Sequence, residues 1–302
     1  MDLTIVAGAS SNHFQCLGNL LHTIKVFEPE ATTIVYDLGL TESESREVSS
    51  KCMELRKFNF EKYPPHVNIQ IDRGQYAWKP ILISEVISER RGLTLYLDAG
   101  DLLLSKLSKV REILTSEGFF SPVSFGQIGE YTHPGTVSFL RADDELLSRR
   151  NRNGAIVGFN ADIPAMVELA ERWKECALTK ECIAPEGSNR SNHRQDQSVL
   201  GILTYQFQQR HKWKLTDDVT EISVQNDKVP PSYVDEWLKE RSRSTHFASA
   251  ALKPLHPEMV TAILLSRRVG LKTKSVHLKF VAMSAFVKLQ RYVGSLKRSR
   301  LV

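Results

Sequence analysis

An apolar run that ends in two acidic residues most constrains the fold of this chain. The run Leu93–Leu104 has the composition of a short buried strand, and Asp98 and Asp101 interrupt it three residues apart. Two carboxylates are costly to bury unless they reach solvent, a cation or hydrogen-bond donors. We therefore expect a central strand of an α/β sheet that carries acids to its carboxyl edge, where such sheets bind ligands. The plainer alternative is a strand followed by an acidic turn or helix cap.

Strand-like and helix-like segments alternate along the first hundred residues. Such an order predicts a mostly parallel central sheet with right-handed crossovers and helices on its faces. Thr41 and Glu44 come close to a capping box at the start of one helix. The predicted strands are 3–8, 32–36, 93–97 and 155–159, the predicted helices are 13–27, 41–53, 81–90 and 163–177, and a polar loop is predicted at 184–192.

Basic residues concentrate at the C-terminal end. Residues 264–302 contain ten Lys or Arg and no Asp or Glu, and subtracting these ten from the net charge of +5 leaves −5 for residues 1–263. We predict a catalytic body at 1–263 and a basic, amphipathic, helical tail at 264–302. The spacing of apolar residues in 276–293 suits an anionic membrane surface, or equally a helix docked on its own domain. No nucleic-acid-binding motif accompanies the basic residues, so nucleic acid is not an expected partner.

Composition and cysteine content indicate an ordinary soluble protein. Apolar residues make up 41% of the chain, as in globular proteins, and no segment approaches the ~18 consecutive apolar residues that span a bilayer. The N-terminal run lacks a basic leader, so we expect no signal peptide. Four cysteines do not suggest a disulfide framework. Cys176 and Cys182 are close enough to pair in an oxidising compartment, but we expect reduced thiols and a cytoplasmic protein, with peripheral membrane association through the tail as an option.

Five short motifs carry a family resemblance. They are YDLGL at 36–40, WKP at 78–80, LDAG at 97–100, W..CA…CIAP at 173–185 and HR.DQS at 193–198. In this order they resemble a poorly characterised family within the GT-A type glycosyltransferases, the nucleotide-diphospho-sugar transferase superfamily. The resemblance runs from about residue 3 to residue 255. It implies a GT-A, Rossmann-like fold and a nucleoside diphosphate sugar as donor.

The acidic strand is similar to the metal-binding strand of the glycogenin and galactinol synthase group. There a YLDAD sequence holds Mn²⁺ against the donor diphosphate. Here Tyr96-Leu-Asp98-Ala matches, but Gly100 stands in place of the second aspartate and Asp101 comes one residue late. A turn at Gly100 is able to re-aim Asp101, since glycine allows the needed backbone angles. The resemblance implies Mn²⁺ or Mg²⁺ bound by Asp98, Asp101 and His246. The metal-free alternative has Asp98 hydrogen-bonded to the donor ribose or sugar.

A second resemblance lies in 245–254, which is similar to an HF-G-KPW pattern of the same group. There the histidine completes the metal site and the lysine contacts the diphosphate, which implies the same roles for His246 and Lys253. In this chain the two residues are one position further apart, and Leu255 replaces the tryptophan.

The motif at 193–198 is a dense polar cluster at the start of an apolar run. Asp196 suits the N-terminal dipole of a helix, but the cluster exceeds what a cap requires and is similar to a DQD-type motif below the transferred sugar. Asp196 is therefore the predicted catalytic residue. It either takes the acceptor proton as general base or orients the sugar while the diphosphate takes the proton. Its neighbours His193, Arg194, Gln195 and Gln197 are predicted to contact the sugar or the acceptor.

Residues at the ends of the first two strands complete the predicted donor site. Gly8 permits close approach of the nucleotide, and Asp37 is able to accept hydrogen bonds from ribose or base. Lys79, before the helix that leads into the acidic strand, is the predicted donor phosphate contact. His133 and Arg152 are weaker candidates for sugar contacts.

Together these features predict hexose transfer from a nucleoside diphosphate sugar to a glycan, lipid-linked glycan or protein acceptor. The alternative is a non-catalytic nucleotide-sugar or glycan-binding protein on a degenerate GT-A fold, in which Gly100 marks a lost metal ligand. A nucleotidyltransferase is disfavoured because 8–14 contains neither Lys nor Arg. Donor, acceptor, stereochemical outcome and oligomeric state stay open at this point.

Overall fold

The computed structural model describes residues 2–217 and 220–243, with side chains up to residue 239. Helices and strands alternate through most of this range, as predicted. The strands are β1 Leu3–Ala9, β2 Thr32–Asp37, β3 Glu54–Lys57, β4 Leu93–Leu97, β5 Leu102–Leu103, β6 Phe119–Phe120, β7 Val123–Gln127, β8 Arg150–Arg152, β9 Ile156–Asn160 and β10 Ile222–Ser223. The helices are α1 Phe14–Phe27, α2 Glu42–Ser49, α3 Trp78–Glu89, α4 Ser108–Ser116, α5 Pro134–Leu140, α6 Asp144–Leu147, α7 Pro164–Leu178, α8 Lys180–Ile183, α9 Asp196–His211 and α10 Pro231–Arg243.

The central sheet has six strands in the order β3-β2-β1-β4-β9-β6. The first four in this order pair in parallel, whereas β9 and β6 join antiparallel. The prediction of an α/β fold with a mostly parallel sheet is confirmed. Because the carboxyl ends of parallel strands meet at one edge, the ends of β1, β2 and β4 lie side by side, and Asp98 follows β4 at that edge.

Apolar side chains cover both faces of this sheet, which explains why β4 is apolar apart from Thr94. Successive residues of a strand point to opposite faces. Leu95 accordingly packs in the core beneath α1 and α4, whereas Tyr96 packs in the core beneath α3, α7 and α9. A strand buried on both sides has no polar face, so its sequence shows a continuous run rather than an alternation.

The start of α2 follows the predicted capping box. The Thr41 side chain accepts a hydrogen bond from the Glu44 amide at 3.3 Å, and the Glu44 carboxylate accepts one from the Thr41 amide at 2.8 Å. The helix ends at Ser49, however, four residues before the predicted end. Its last turn contains no apolar residue beyond Val48 that packs into the core.

The cysteine prediction is wrong in the structure. Cys176 on α7 and Cys182 on α8 form a disulfide rather than two reduced thiols. Disulfides persist mainly in oxidising compartments, so this bond removes one support of the cytoplasmic prediction, which stays a prediction. None of the described helices combines the length and the apolarity needed to cross a bilayer. The tail at 264–302, with the boundary at 263, lies outside the described residues.

Arg152 has a structural environment, in contrast to the sugar contact suggested for it. Its side chain is 1% exposed. Nη2 donates to the carbonyls of Ser121 at 2.5 Å and Thr216 at 2.6 Å, and Nη1 contacts the Asp217 carboxylate at 3.1 Å. The guanidinium therefore ties the β7–β8 ribbon to the segment that follows α9.

We expect Arg152→Met to lower the free energy of unfolding by about 3 kcal/mol, because one buried and one partly buried carbonyl lose their donor and each loss costs ~1–3 kcal/mol. Urea denaturation measures the change. Arg149→Met is the matched control, since Arg149 forms only an exposed ion pair with Glu145 and such pairs contribute ~0–1 kcal/mol. Equal losses in the two variants would contradict the role assigned to Arg152.

Candidate functional site

A cleft of about 740 Å³ opens at the carboxyl edge of the sheet. It lies where the ends of β1 and β4 meet, which is the edge that the sequence predicted. Beyond Gly8 and Asp98, cationic and aromatic side chains from later segments reach its wall. The lining residues are Gly8–His13, Leu38, Gly39, Ile69, Gln70, Arg73, Tyr76, Trp78, Asp98–Gly100, Arg190 and Asp227.

A buried lysine lies between two carboxylates beside this cleft. Lys79 Nζ, near the start of α3, is 3.0 Å from Oδ1 of Asp98 and 3.1 Å from Oδ2 of Asp196. It also donates to the carbonyl of Gly154 at 3.0 Å. The Lys79 side chain is 5% exposed and that of Asp196 is 7% exposed, whereas that of Asp98 is 40% exposed. Three residues that the sequence predicted separately thus meet, and only Asp98 faces the cleft.

The charges of this cluster depend on one another. Burial alone would lower the pKa of Lys79, but attraction to Asp196 and Asp98 outweighs it and raises that pKa above its ordinary value. Burial raises the pKa of Asp196 to about 6, against the opposing attraction of Lys79. Oδ2 of Asp196 receives no aligned hydrogen bond from the described residues, so electrostatic attraction to the ammonium stabilises its charge.

Asp101 does not join Asp98 in the cleft. Its side chain is buried in the turn after β4, where Oδ2 accepts a hydrogen bond from the Asp98 amide at 3.1 Å. Oδ1 has no partner among the described residues. Burial, with the nearby charge of Asp98 adding to it, raises the pKa of Asp101 well above its usual range. Because its carboxyl group is buried inside the turn and does not line the cleft, the turn at Gly100 does not re-aim Asp101 as the sequence suggested.

The described residues do not fit a metal ion by themselves. No group of three His, Cys, Asp or Glu among them comes together as a ligand set. Asp98 faces the cleft, but its Oδ1 is already bonded to Lys79 and to the hydroxyl of Tyr96, the latter at 2.8 Å. The remaining predicted ligand, His246, and the predicted phosphate contact Lys253 lie outside the described residues.

Position 100 is a glycine because another carboxylate lies against it. A Cβ atom there would be 2.9 Å from Cγ of Asp227 and closer still to its Oδ1. The carbonyl of Gly100 also accepts a hydrogen bond from the Asn226 amide at 2.7 Å. The segment after β10 therefore occupies the space that a second motif aspartate would need.

The motif at 193–198 is held largely by the backbone. His193 is fully buried: its Nδ1 accepts from the His133 amide at 3.2 Å, and Nε2 donates to the Ile183 carbonyl at 2.8 Å. Burial lowers the pKa of His193 to about 4, so the ring is neutral. The structure thus gives His193 a structural role in place of the predicted sugar contact. Trp173 Nε1 donates to the carbonyl of Asp196 at 3.0 Å and fixes the start of α9.

The other members of the motif lie in different surroundings. The Arg194 guanidinium stacks over the ring of Tyr131 at 4.9 Å. Gln195 has a positive φ of 42° and lines a second cleft. Gln197 donates to the carbonyl of Arg152 at 2.8 Å. Of these predicted sugar contacts, Gln195 lines one of the two clefts formed by the described residues.

The two donor residues predicted at strand ends also differ. Gly8 lines the large cleft, and a Cβ atom at this position would lie 3.1 Å from the ring of Trp78. Asp37 turns away from it: Oδ1 accepts from the amides of Gly39 and Leu40 at 2.8 and 2.7 Å. Gly39 has a φ of 130°, so the YDLGL motif forms a turn that shapes the cleft.

A second cleft of about 380 Å³ adjoins the first and shares Arg73, Tyr76 and Arg190 with it. Sequence reasoning missed these residues. Arg73 and Tyr76 belong to a left-handed turn, Asp72–Tyr76, in which every residue has a φ between 44° and 61°. Gly74 is the one local signal of it. The lining residues of the second cleft are Asp72, Arg73, Gln75, Tyr76, Ser188–Arg190 and Gln195.

Comparisons with known proteins give partial similarities. The model of a family described as a protein of unknown function (DUF1647) matches residues 1–84, and no curated protein matches the chain. Galactosyltransferase LgtC, solved with donor and acceptor sugar analogues, is 16% identical with a TM-score of 0.48, covering 78% of this chain and 95% of that one. The apo glycosyltransferase GlyE of Streptococcus pneumoniae TIGR4 is 10% identical with a TM-score of 0.45, covering 85% of this chain and 54% of GlyE.

We expect the titration of Asp196 to make stability fall as pH rises. Its pKa is raised to about 6, so the folded protein keeps a proton that an unfolded aspartate, with a pKa of about 3.9, releases. This stabilising contribution is complete below pH ~4 and is lost as pH rises through about 6. Relative to Asp196→Asn, wild-type unfolding free energy should drop by on the order of 2 kcal/mol across this window. Denaturant titrations from pH 4 to 7 measure it, and a constant difference would contradict the raised pKa.

We expect Gly100→Ala to cost about 0.5–1 kcal/mol of unfolding free energy, at the low end for a point substitution, because its Cβ meets the Asp227 carboxylate and the half-exposed Asp227 side chain must shift. Asp227→Ala should recover most of this loss in the double variant, as a double-mutant cycle measures. Gly18→Ala in α1 is the control, because no atom lies within 4 Å of the added Cβ. If the cost of Gly100→Ala were unchanged by Asp227→Ala, the contact would not explain the glycine.

Proposed function

We propose that this chain transfers a glycosyl group from a nucleoside diphosphate sugar, bound in the larger cleft, to an acceptor hydroxyl. The observation that carries the proposal is the meeting of Lys79, Asp98 and Asp196 beside that cleft. Sequence motifs predicted each of them as a donor or catalytic residue, and they come from three separate elements. A hexose as the sugar, and a glycan, lipid-linked glycan or protein as the acceptor, belong to the same proposal.

The larger cleft suits such a donor. Its volume of about 740 Å³ falls in the ~300–1,000 Å³ range of ligand sites. Gly8, next to the last residue of β1, lines this cleft, and the edge of a parallel sheet is where nucleotides bind in folds of this architecture. Asp98 is half exposed there, and its Oδ2 forms no hydrogen bond with the described residues, which leaves it able to accept one from a donor hydroxyl.

Lys79 would act on the donor through Asp98. Its ammonium is buried and already bonded to two carboxylates and one carbonyl, so it holds the Asp98 carboxylate in a fixed position facing the cleft. A preorganised charge of this kind costs no reorganisation when the reaction occurs. Lys79 is thus proposed as a positioning residue instead of the direct phosphate contact suggested by the sequence.

We propose that Asp196 positions the reacting groups and does not act as the general base. Its carboxylate lines neither of the two clefts, and a general base must come within hydrogen-bond reach of the proton it takes. We therefore favour the second sequence hypothesis. In it the anomeric bond to the diphosphate breaks, the acceptor oxygen forms the new bond to carbon, and the acceptor proton passes to an oxygen of the leaving diphosphate.

We expect calorimetry with UDP, GDP, CDP and their sugar conjugates to find one nucleotide series that binds, with slow release of the nucleoside diphosphate from its sugar conjugate. Asp98→Asn should weaken binding of the conjugate at least tenfold, because a charge-assisted hydrogen bond is lost. Asp162→Asn, an exposed aspartate on the connection between β9 and α7, is the matched control and should bind as the wild type does.

The outcomes separate the alternatives. Binding without any release of nucleoside diphosphate would support the non-catalytic nucleotide-sugar-binding protein, and binding of none of the conjugates would overturn both. Asp196→Asn tests its own role: a positioning residue lowers turnover at every pH. A general base would instead give a pH–rate limb near pH 6, the pKa of Asp196, which disappears in the variant.

A further inference from the structure

The larger cleft is lined by basic residues that do not belong to the cluster of Lys79, Asp98 and Asp196. The charge of Lys79 is committed to Asp98 and Asp196. On the cleft wall, Asp227 lies 3.9 Å from Nε2 of His13. Arg73 and Arg190 line the same cleft, and neither forms an ion pair with any carboxylate in the described part of the chain. Two arginines without a carboxylate partner among the described residues therefore line this cleft, whereas Asp98 is already paired with Lys79.

The backbone holds Arg73 at this wall against its own preference. Arg73 has a φ of 59° within the left-handed turn Asp72–Tyr76, a conformation that costs non-glycine residues roughly 1–2 kcal/mol each. The turn packs tightly against the backbone of Val67: a Cβ atom on Gly74 would lie 2.9 Å from the carbonyl carbon of Val67. Strain of this kind persists where the surrounding structure imposes it and is concentrated at functional sites.

Arg190 comes from a different segment, the polar loop between α8 and α9. Its Nη1 donates to the hydroxyl of Tyr76 at 2.9 Å, and its guanidinium lies 5.7 Å from the centre of the Tyr76 ring. The centre of the Tyr76 ring is also 5.9 Å from Nζ of Lys79. The Tyr76 ring thus contacts Arg190 and lies close to the buried ammonium, and Arg190 lines both clefts.

We propose that Arg73 and Arg190 form an arginine clamp for the diphosphate of the donor. This inference rests on the proposed function and adds the residues that bind its phosphates. A guanidinium presents a planar fork of donors that matches phosphate oxygens in pairs. Two of them supply the charge needed to bind a diphosphate and to stabilise it as a leaving group, at a site where the described carboxylates do not assemble a metal set.

The clamp also explains why the two clefts share these side chains. The larger cleft holds Gly8 and Asp98, and the smaller one holds Gln195. A diphosphate bound at the shared wall places its nucleoside on one side. The other side, with Gln195, is then left for the sugar or the acceptor.

Inorganic pyrophosphate is the first probe, because its binding does not depend on the identity of the base or sugar. Isothermal titration should show that wild-type protein binds pyrophosphate, and that Arg73→Asn and Arg190→Gln each weaken binding at least tenfold. Asparagine is chosen at position 73 because it tolerates positive φ. Arg172→Ala, an exposed arginine on α7 paired with Glu175, is the matched control and should change the affinity less than twofold. Circular dichroism and thermal unfolding confirm that each variant folds.

The same variants are then titrated with the nucleoside diphosphate that binds wild type and with its parent nucleoside. The clamp predicts that Arg73→Asn and Arg190→Gln weaken the diphosphate and leave the nucleoside unchanged. Wild-type binding of the diphosphate with no effect of either substitution would overturn the clamp and leave the proposed transferase intact. Loss of pyrophosphate binding in the variants, with no nucleotide sugar bound by wild type, would keep an anion site and overturn the proposed function instead.

Discussion

The arrangement of the candidate site depends on one buried ammonium. Lys79 contacts Asp98 after β4, Asp196 at the start of α9 and the carbonyl of Gly154 before β9. Burying a charge is costly unless it is paired and hydrogen-bonded, so these three partners must come together for α3 to begin where it does. The same requirement fixes the one carboxylate that faces the larger cleft. Sheet edge, helix start and cleft wall are thus coupled through a single group.

Sequence patterns predicted what local chemistry encodes. The apolar run of β4, the capping box of α2 and the alternation of elements predicted the sheet, its edge and the place of Asp98, whereas Lys79 and Asp196 were singled out by motif and their meeting was not predicted. The sequence patterns did not predict that Asp101 turns inward or that Arg152 is buried. Both outcomes depend on partners far along the chain, such as the segment that contributes Asp227 to the space beside Gly100. The residues next to a side chain in sequence do not reveal which distant residues will surround it in the folded protein.

Several polar motif residues that the sequence offered as candidate site residues instead form hydrogen bonds with backbone groups. Asp37 closes the turn at Gly39, His193 joins two loops through both ring nitrogens, and Trp173 bonds the first carbonyl of α9. His193 and Trp173 satisfy buried polar groups that would otherwise destabilise the fold. The left-handed turn beside the cleft has the opposite character, because it keeps unfavourable backbone angles and leaves Arg73 facing the cleft.

The disulfide between Cys176 and Cys182 makes the covalent state of the protein depend on how it is prepared. It joins α7, which carries Trp173, to α8, whose last carbonyl holds His193. Protein produced in a reducing host and protein produced in an oxidising one therefore differ covalently next to the loop that leads to Asp196. The oxidised and reduced forms have the same sequence and differ in mass by only two hydrogen atoms, yet they are different samples. The redox state of the preparation should therefore be controlled in any assay.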